Sequence, residues 1–207
     1  MSSRRRIRPQ FEVTDQRFVE RTSIICVNID GTMCSVVMGA MSSESGTSRW
    51  EQRSFCAELL RIALRCQGIA DPSTVRVEHE ANGAPVLSSP DIGSVSISHD
   101  GYWGAVAVSP VDGRIGVDIQ VPRRVSRKLL QRFAPDLAER AGDENAYVEF
   151  ARRWTSREAV GKALGTGLRS ELLSAVLPVA RIGREFGAEY ASLGRWSSPA
   201  LSLAHTD

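Results

Sequence analysis

An acidic side chain, Glu158, stands among basic residues on a segment that the sequence pattern predicts to be helical. Tyr147, Ala151 and Trp154 recur at about 3.6-residue spacing before it. Glu158 continues this stripe, about 20° from Tyr147 on a helix that turns about 100° per residue. The carboxylate therefore points where apolar side chains point. A buried, unpaired charge costs several kcal/mol, so Glu158 needs a hydrogen-bonding partner or a metal ion.

Two bases flank this acid. Lys162 follows one helical turn later, and Arg157 is the residue beside it. Lysine is rare in this chain: of 26 basic residues, only Lys162 and Lys128 are lysines, so its presence here indicates a need for a compact point charge. One acid and two bases within a helical turn suit a metal-bound polyphosphate. The alternative is an ordinary surface pair between Glu158 and Lys162.

A second acid lies upstream on a predicted strand. Residues 116–120 read Gly-Val-Asp-Ile-Gln, and successive side chains of a strand point to opposite faces. Val117 and Ile119 therefore face one side, and Asp118 and Gln120 face the other.

The order of these motifs resembles the 4′-phosphopantetheinyl transferase superfamily. Gly-Val-Asp-Ile at 116–119 is followed by Trp-Thr-Ser-Arg-Glu-Ala-Val-Gly-Lys at 154–162, and the resemblance extends over roughly residues 48–170. At this length the chain is similar to the larger, two-half members of the surfactin-synthetase-activating type. Those members act as monomers, which implies a monomer here.

The resemblance implies an enzyme that transfers the 4′-phosphopantetheine arm of coenzyme A to a serine hydroxyl of an acyl or peptidyl carrier protein. Such carriers serve polyketide, non-ribosomal peptide or fatty acid synthesis, and adenosine 3′,5′-bisphosphate is released. Asp118, Glu158 and Gln120 would hold Mg²⁺, which prefers a few carboxylates together with substrate oxygens and water. Lys162 and Arg157 would bind the pyrophosphate. Glu158 is the candidate acceptor of the serine proton, with Asp118 and Lys162 completing the catalytic set.

The resemblance also assigns contacts with coenzyme A outside these two motifs. The turn Gly83-Ala84-Pro85 corresponds to a segment near the nucleotide end, and Ser98-His99 to a dipeptide that touches the phosphates. From the residues alone, the first is equally an ordinary hairpin turn and the second a polar surface turn. Arg49 or Arg53, near the start of a predicted helix, is a further candidate for reaching a phosphate.

Two departures from the family pattern keep a second hypothesis open. Gln120 stands where many relatives have Glu, and Ala84 stands where a Lys or Arg is usual. An amide oxygen can bind Mg²⁺ but supplies no charge. The alternative is a catalytically degenerate homologue that binds coenzyme A or a carrier domain without transfer. A third hypothesis is an interaction module acting through the Arg-rich start of the chain.

The composition limits the remaining classes of function. With 42% hydrophobic and 24% charged residues, the 207-residue chain is typical of a globular protein. No apolar run approaches the ~20 residues that span a membrane, so we expect a cytoplasmic protein with no membrane partner. A net charge of +2 predicts no general affinity for nucleic acid.

The pattern of elements predicts an α+β fold. Ser48 and Glu51 form a capping box for a helix that extends to about residue 67, and Asp143 or Asn145 caps the helix that carries Glu158. We expect two pseudo-symmetric halves, each a small antiparallel sheet packed with a long helix, over residues 21–113 and 114–207. Residues 1–20 are predicted to form a flexible basic tail or linker.

Overall fold

A computed structural model describes residues 12–19, 21–29, 31–41, 48–110, 113–169, 172–173, 183–185, 188–193 and 199–206. Up to residue 110 these form one α-helix, two short 3₁₀ helices and seven strands, of which the α-helix and strands are β1 (Glu12–Val19), β2 (Thr22–Ile29), β3 (Thr32–Ala40), α1 (Arg49–Cys66), β4 (Val77–His79), β5 (Pro85–Leu87), β6 (Ser94–Asp100) and β7 (Trp103–Ser109). Five strands make an antiparallel sheet in the order β1-β2-β3-β7-β6, and β4 and β5 form a separate hairpin.

The rest of the described chain forms a second sheet and two helices: β8 (Arg114–Gln120), α2 (Arg127–Phe133), α3 (Glu144–Ala163), β9 (Gly183–Glu185), β10 (Ala188–Ser192) and β11 (Ala200–Thr206). The strands are antiparallel in the order β8-β11-β10-β9. A 3₁₀ helix, Pro135–Arg140, lies between α2 and α3.

The two sheets pack face to face, and one long helix covers each outer face. The central core combines β2, β3 and β7 of the first sheet with β8 and β11 of the second. Helix α1 packs on the first sheet through a second apolar cluster, and α3 packs on the second sheet through a third. Four layers result, with sheet on sheet at the centre.

Both predicted helix starts are confirmed. In α1 the Ser48 side chain accepts a hydrogen bond from the Glu51 amide while the Glu51 carboxylate accepts one from the Ser48 amide. Asp143 caps α3 by accepting from the amide of Asn145. The α+β fold class is likewise confirmed, and no helix in the described ranges is long and apolar enough to cross a membrane.

The predicted flexible tail is wrong for part of its length. Glu12–Val19 forms strand β1, which pairs with β2 along its whole length, whereas residues 1–11 lie outside the described residues. The segment lacks apolar periodicity because β1 is an edge strand held by backbone hydrogen bonds, with several side chains exposed. The first sheet ends before residue 110 and the second begins at residue 114. The proposed division into halves at 21–113 and 114–207 stays a prediction.

Candidate functional site

Strand β8 presents its polar side chains to α3. Ile115, Val117 and Ile119 belong to the core between the sheets, as their alternation predicts. Asp118 therefore lies on the opposite face of β8, where α3 packs.

A glycine brings α3 against the backbone of β8. A Cβ atom on Gly116 would lie 2.0 Å from the carbonyl oxygen of Ala159 and 2.7 Å from the amide nitrogen of Ala163. Only glycine allows such an approach, which places Lys162 of α3 over the strand beside Asp118.

Asp118 and Lys162 form a partly buried ion pair. Asp118 is only 7% exposed, and its Oδ1 accepts hydrogen bonds from Lys162 Nζ at 2.8 Å and from Ser98 Oγ at 2.7 Å. Lys162 Nζ also donates to the carbonyl oxygen of Val117 at 2.9 Å. These bonds fix the carboxylate and the ammonium group relative to each other.

Glu158 lies half-buried in the electrostatic field of this pair. Burial and the negative charge of Asp118 raise the pKa of Glu158, and the positive charge of Lys162 opposes the rise. The structure therefore brings together the two predicted carboxylates and the predicted lysine. A carboxyl group with a raised pKa is suited to accept a proton.

A row of polar side chains on β6 joins the two sheets at this site, a feature that the sequence analysis missed. Ser96 Oγ accepts a hydrogen bond from the Val117 amide at 3.0 Å, and Ser98 Oγ accepts one from the Ile119 amide at 3.4 Å. Asp100 Oδ2 accepts a third from the Val121 amide at 2.8 Å. The signal was present, because Ser96 and Ser98 alternate with the apolar Val95 and Ile97 on this strand.

A cavity of about 600 Å³ extends from Lys162 to the β4–β5 turn. Gly83, Ala84 and Pro85 line it, so the structure brings the predicted nucleotide-end turn and the predicted pyrophosphate ligand to one cavity. Its charged lining residues are Glu80, Arg114 and Lys162.

The donor set fits a divalent cation. Oδ1 of Asp118 is occupied by Ser98 and Lys162, while Glu158 places a second negative charge nearby, which a cation would offset. Gln120, half-buried at the end of β8, lies on the same face as Asp118 by strand alternation. Among the described residues no group of three His, Cys, Asp or Glu side chains is placed to hold a metal.

Arg157 does not fit its predicted role. It is 1% exposed, and its Nη2 donates to the carbonyl oxygen of Phe133 at 2.8 Å, on the α2 side of α3. Burial and the positive charge of Arg153 lower the pKa of Arg157. Adjacent helical residues point about 100° apart, so a neighbour of Glu158 in sequence is not its neighbour on the helix surface. The structure therefore contradicts direct contact between Arg157 and phosphates that Lys162 binds.

The remaining predicted contacts lie outside the lining of the cavity. His99 is exposed on β6, and Arg53 is exposed on α1. Gln52 Nε2 donates to the Gly101 carbonyl at 3.0 Å, which places the start of α1 beside the β6–β7 turn. Ser98 is buried and bonded to Asp118, so it positions the carboxylate.

Comparison with known proteins agrees with this geometry. The family model for the 4′-phosphopantetheinyl transferase superfamily matches residues 114–194, a stretch that contains Asp118, Glu158 and Lys162. This match supports membership of the superfamily for the part of the chain that carries these residues. No curated protein matches the chain. The match supports a transferase, and coenzyme A and a carrier protein are the substrates that the superfamily implies.

Proposed function

We propose that this protein is a phosphopantetheinyl transferase, which moves the 4′-phosphopantetheine group of coenzyme A to a serine hydroxyl of an acyl or peptidyl carrier protein of polyketide, non-ribosomal peptide or fatty acid synthesis. The observation that carries the proposal is the placement of Asp118, Glu158 and Lys162 together, with Lys162 at one end of the cavity. The protein acts as a cytoplasmic monomer of the larger, two-half type.

Asp118 and Glu158 are the residues that would hold Mg²⁺, with the Gln120 amide oxygen as a third ligand. When bound, the ion supplies positive charge that neutralises the pyrophosphate. Burial supports this assignment, because Lys162 supplies one positive charge against two carboxylates in a partly desolvated site, and a bound cation would offset the second.

The groups of the chain divide the reaction between them. Lys162, fixed by Asp118 and the Val117 carbonyl, directs an ammonium group at the phosphates. Glu158 accepts the proton of the carrier serine, directly or through a water molecule, as the serine oxygen forms its bond to phosphorus. The bond from that phosphorus to the bridging oxygen breaks, and its electron pair leaves with adenosine 3′,5′-bisphosphate.

The cavity supports a place for the nucleotide half of coenzyme A. With the pyrophosphate at Lys162, the nucleotide extends toward Gly83, Ala84 and Pro85, which line the other end. The Gly83 φ angle of +85° gives this turn its tight shape. His99 and Arg53, both exposed, are proposed to contact phosphates from the side of the β6–β7 turn.

A mass measurement tests the proposal. The purified protein is incubated with coenzyme A, Mg²⁺ and a panel of apo carrier proteins, beside a known transferase on the same panel. We expect at least one carrier to gain the mass of the phosphopantetheine arm, and EDTA to prevent the gain. If the control enzyme modifies the panel and this protein modifies no carrier, the proposal fails.

One observation favours a second candidate, a degenerate homologue that binds without transfer. The predicted metal set contains two carboxylates and the uncharged Gln120. Calorimetry separates the two candidates. Binding of coenzyme A that is independent of Mg²⁺, together with no carrier modification, indicates the degenerate homologue.

A further inference from the structure

Asp100, the last residue of β6, joins the ends of two strands that belong to different sheets. Its Oδ2 accepts a hydrogen bond from the Val121 amide at 2.8 Å, and its Oδ1 accepts one from Arg123 Nη2 at 2.6 Å. The Asp100 side chain is 17% exposed, whereas that of Arg123 is 60% exposed. Both carboxylate oxygens of Asp100 therefore hold the segment that directly follows β8.

This contact is the last of three evenly spaced hydrogen bonds between β6 and β8. Ser96, Ser98 and Asp100 each accept a hydrogen bond from the backbone amide 21 positions later. The two serines use hydroxyl groups, which also donate, whereas a carboxylate only accepts and makes the stronger hydrogen bond. The carboxylate gives the shortest of the three contacts, 2.8 Å against 3.0 and 3.4 Å. The firmest link between the sheets therefore lies at the end of β8 that carries Gln120.

Gln120 lies between two backbone supports. The pairing of β8 with β11 ends with Gln120, which lies opposite Ala200. The Val121 amide that Asp100 binds belongs to the planar peptide group that links Gln120 to Val121, so Asp100 fixes the orientation of that group. Within the described part of the chain, no residue hydrogen-bonds to the side-chain amide of Gln120. The backbone alone therefore directs this side chain.

An uncharged metal ligand needs such support more than a carboxylate does. Mg²⁺ requires nearly octahedral geometry, with oxygens at about 2.0–2.1 Å. The charge of a carboxylate draws it to the ion, whereas an amide oxygen offers only a dipole. Ordering a glutamine side chain also costs up to ~2 kcal/mol of rotamer entropy. A ligand that brings so little binding free energy contributes only if its backbone is already in place.

We propose that Asp100 is a positioning residue for the metal site, which holds the Gln120 backbone so that the Gln120 amide oxygen can join Asp118 and Glu158 on the ion. The inference rests on the proposed function, in which these three residues hold Mg²⁺. Asp100 acts through the backbone and is not itself a ligand. The metal site would then be built by both sheets, with the first sheet supplying the support and the second supplying two of the ligands.

Binding of Mn²⁺ in the presence of saturating coenzyme A tests this assignment. No carrier protein is added, so no transfer takes place, and electron paramagnetic resonance measures free and bound Mn²⁺. The variants are Asp100→Ala, Asp100→Asn and Arg123→Gln, each made in the wild type and in Gln120→Ala. Asp100→Asn keeps an acceptor oxygen for the Val121 amide, and Arg123→Gln removes only the ion pair.

The matched control is Asp71→Ala. Asp71 is another exposed carboxylate that accepts a backbone hydrogen bond, from the Ser73 amide at 3.0 Å, but it caps a 3₁₀ helix outside the two sheets. Thermal melts report on the folding of every variant. Asp100→Ser is prepared in parallel in case Asp100→Ala does not fold, because its hydroxyl ends one bond short of the carboxylate oxygens and should give the same weakening.

We expect Asp100→Ala to weaken Mn²⁺ binding about tenfold, the lower end of the range for residues that orient metal ligands. Asp100→Asn and Arg123→Gln should stay within about threefold of the wild type, because an exposed ion pair contributes little and the Val121 amide keeps its partner. Asp71→Ala should leave the affinity unchanged. In Gln120→Ala, Asp100→Ala should weaken binding no further, because the ligand that it positions is gone. Equal weakening with and without Gln120, or no weakening in either, overturns the assignment.

The failure of this assignment differs from failure of the proposed function. If Asp100→Ala and Asp100→Ser bind Mn²⁺ as the wild type does while the wild type modifies a carrier, only the role of Asp100 is refuted. If the wild type binds no Mn²⁺ with coenzyme A and modifies no carrier, the proposed function and this inference are both refuted.

Discussion

The two long helices cover equivalent faces of the two sheets but bury different kinds of side chain. The fully buried residues of α1 are all apolar: Cys56, Leu59, Leu60, Ala63 and Leu64. Helix α3 also buries polar and charged residues: Arg152, Arg153, Thr155, Ser156 and Arg157. Burial of polar groups costs free energy unless they are hydrogen-bonded, and α3 meets that need: Arg153 donates to Asp136 and Glu149, and the Thr155 hydroxyl lies 2.9 Å from Ser202 Oγ. Helix α3 also carries Glu158 and Lys162 of the proposed site.

The helices also contact their sheets differently. A Cβ atom on Gly104 of β7 would meet side-chain atoms of Phe55 at 3.1 Å and of Leu59 at 3.2 Å, both on α1. The equivalent atom on Gly116 would meet the backbone of α3 at 2.0 Å. Side chains separate α1 from its sheet, whereas α3 lies directly on β8. Close backbone contact fixes the site more rigidly than side-chain packing, because backbone atoms cannot change rotamer.

The largest expected effect is a lower rate of transfer when Asp118 or Glu158 loses its negative charge. We expect Glu158→Gln to lower the rate of carrier modification by about 10²–10⁴-fold, the usual contribution of a proton-accepting group, and Asp118→Asn, which weakens the proposed metal site, to lower it by a similar factor. The matched control is Glu58→Gln on α1, an exposed acid that should change the rate less than twofold. Mass spectrometry of timed samples measures all three. Equal rates for Glu158→Gln and Glu58→Gln would remove the functional distinction between the helices.

The second prediction concerns the two glycine contacts. Gly116→Ala should lower the free energy of unfolding by about 1–3 kcal/mol or more, because its Cβ meets backbone that must move. It should also slow transfer, since Lys162 would shift from Asp118. Gly104→Ala should lower the free energy of unfolding less than Gly116→Ala does, because the side chains of Phe55 and Leu59 can adjust. Urea unfolding of both variants checks the order, and a larger loss for Gly104→Ala would contradict it.

A third, smaller effect is expected at Gln120. Gln120→Glu adds a charge to the proposed metal set and should tighten apparent Mg²⁺ binding about tenfold, equivalent to ~1.4 kcal/mol. Transfer rates measured over a series of Mg²⁺ concentrations give this value. An unchanged metal dependence would show that residue 120 lies outside the metal shell.

The smallest effect is on stability and depends on pH. The Glu158 pKa is raised above its ordinary value of 4.5 by burial and by the charge of Asp118. Its ionised form therefore destabilises the fold at neutral pH, and this cost disappears as pH falls through the raised pKa and the carboxyl group is protonated. Glu158→Gln should melt a few degrees above the wild type at pH 8 without Mg²⁺, with no advantage below about pH 4.5. A variant that melts below the wild type at pH 8 would contradict this cause.

Much of the scaffold follows from local sequence signals. The caps at Ser48 and Asp143, and the alternation of β8, are encoded within a few residues, and the structure confirms each. The proximity of Asp118 and Glu158 could be predicted only because their two motifs occur in the same order as in the superfamily. Residues forty positions apart in sequence give no local signal that they lie close together.

Other features depend on packing that no local pattern records. Arg157 turns toward Phe133 because α2 lies there, and a linear motif does not show which side of a helix meets another helix. Strand β1 has no apolar periodicity because it pairs only at the edge of a sheet. The acceptors on β6 are visible as alternating polar residues, but their partners on β8 are known only from the fold.

The most direct test of the central claim is a crystal of the protein grown with coenzyme A and Mn²⁺ in place of Mg²⁺, with anomalous diffraction locating the ion. We predict one ion beside the bound pyrophosphate, with oxygens of Asp118 and Glu158 both about 2.0–2.3 Å from it. Bound coenzyme A with no ion between these two carboxylates, or with an ion held by other residues, would contradict the account.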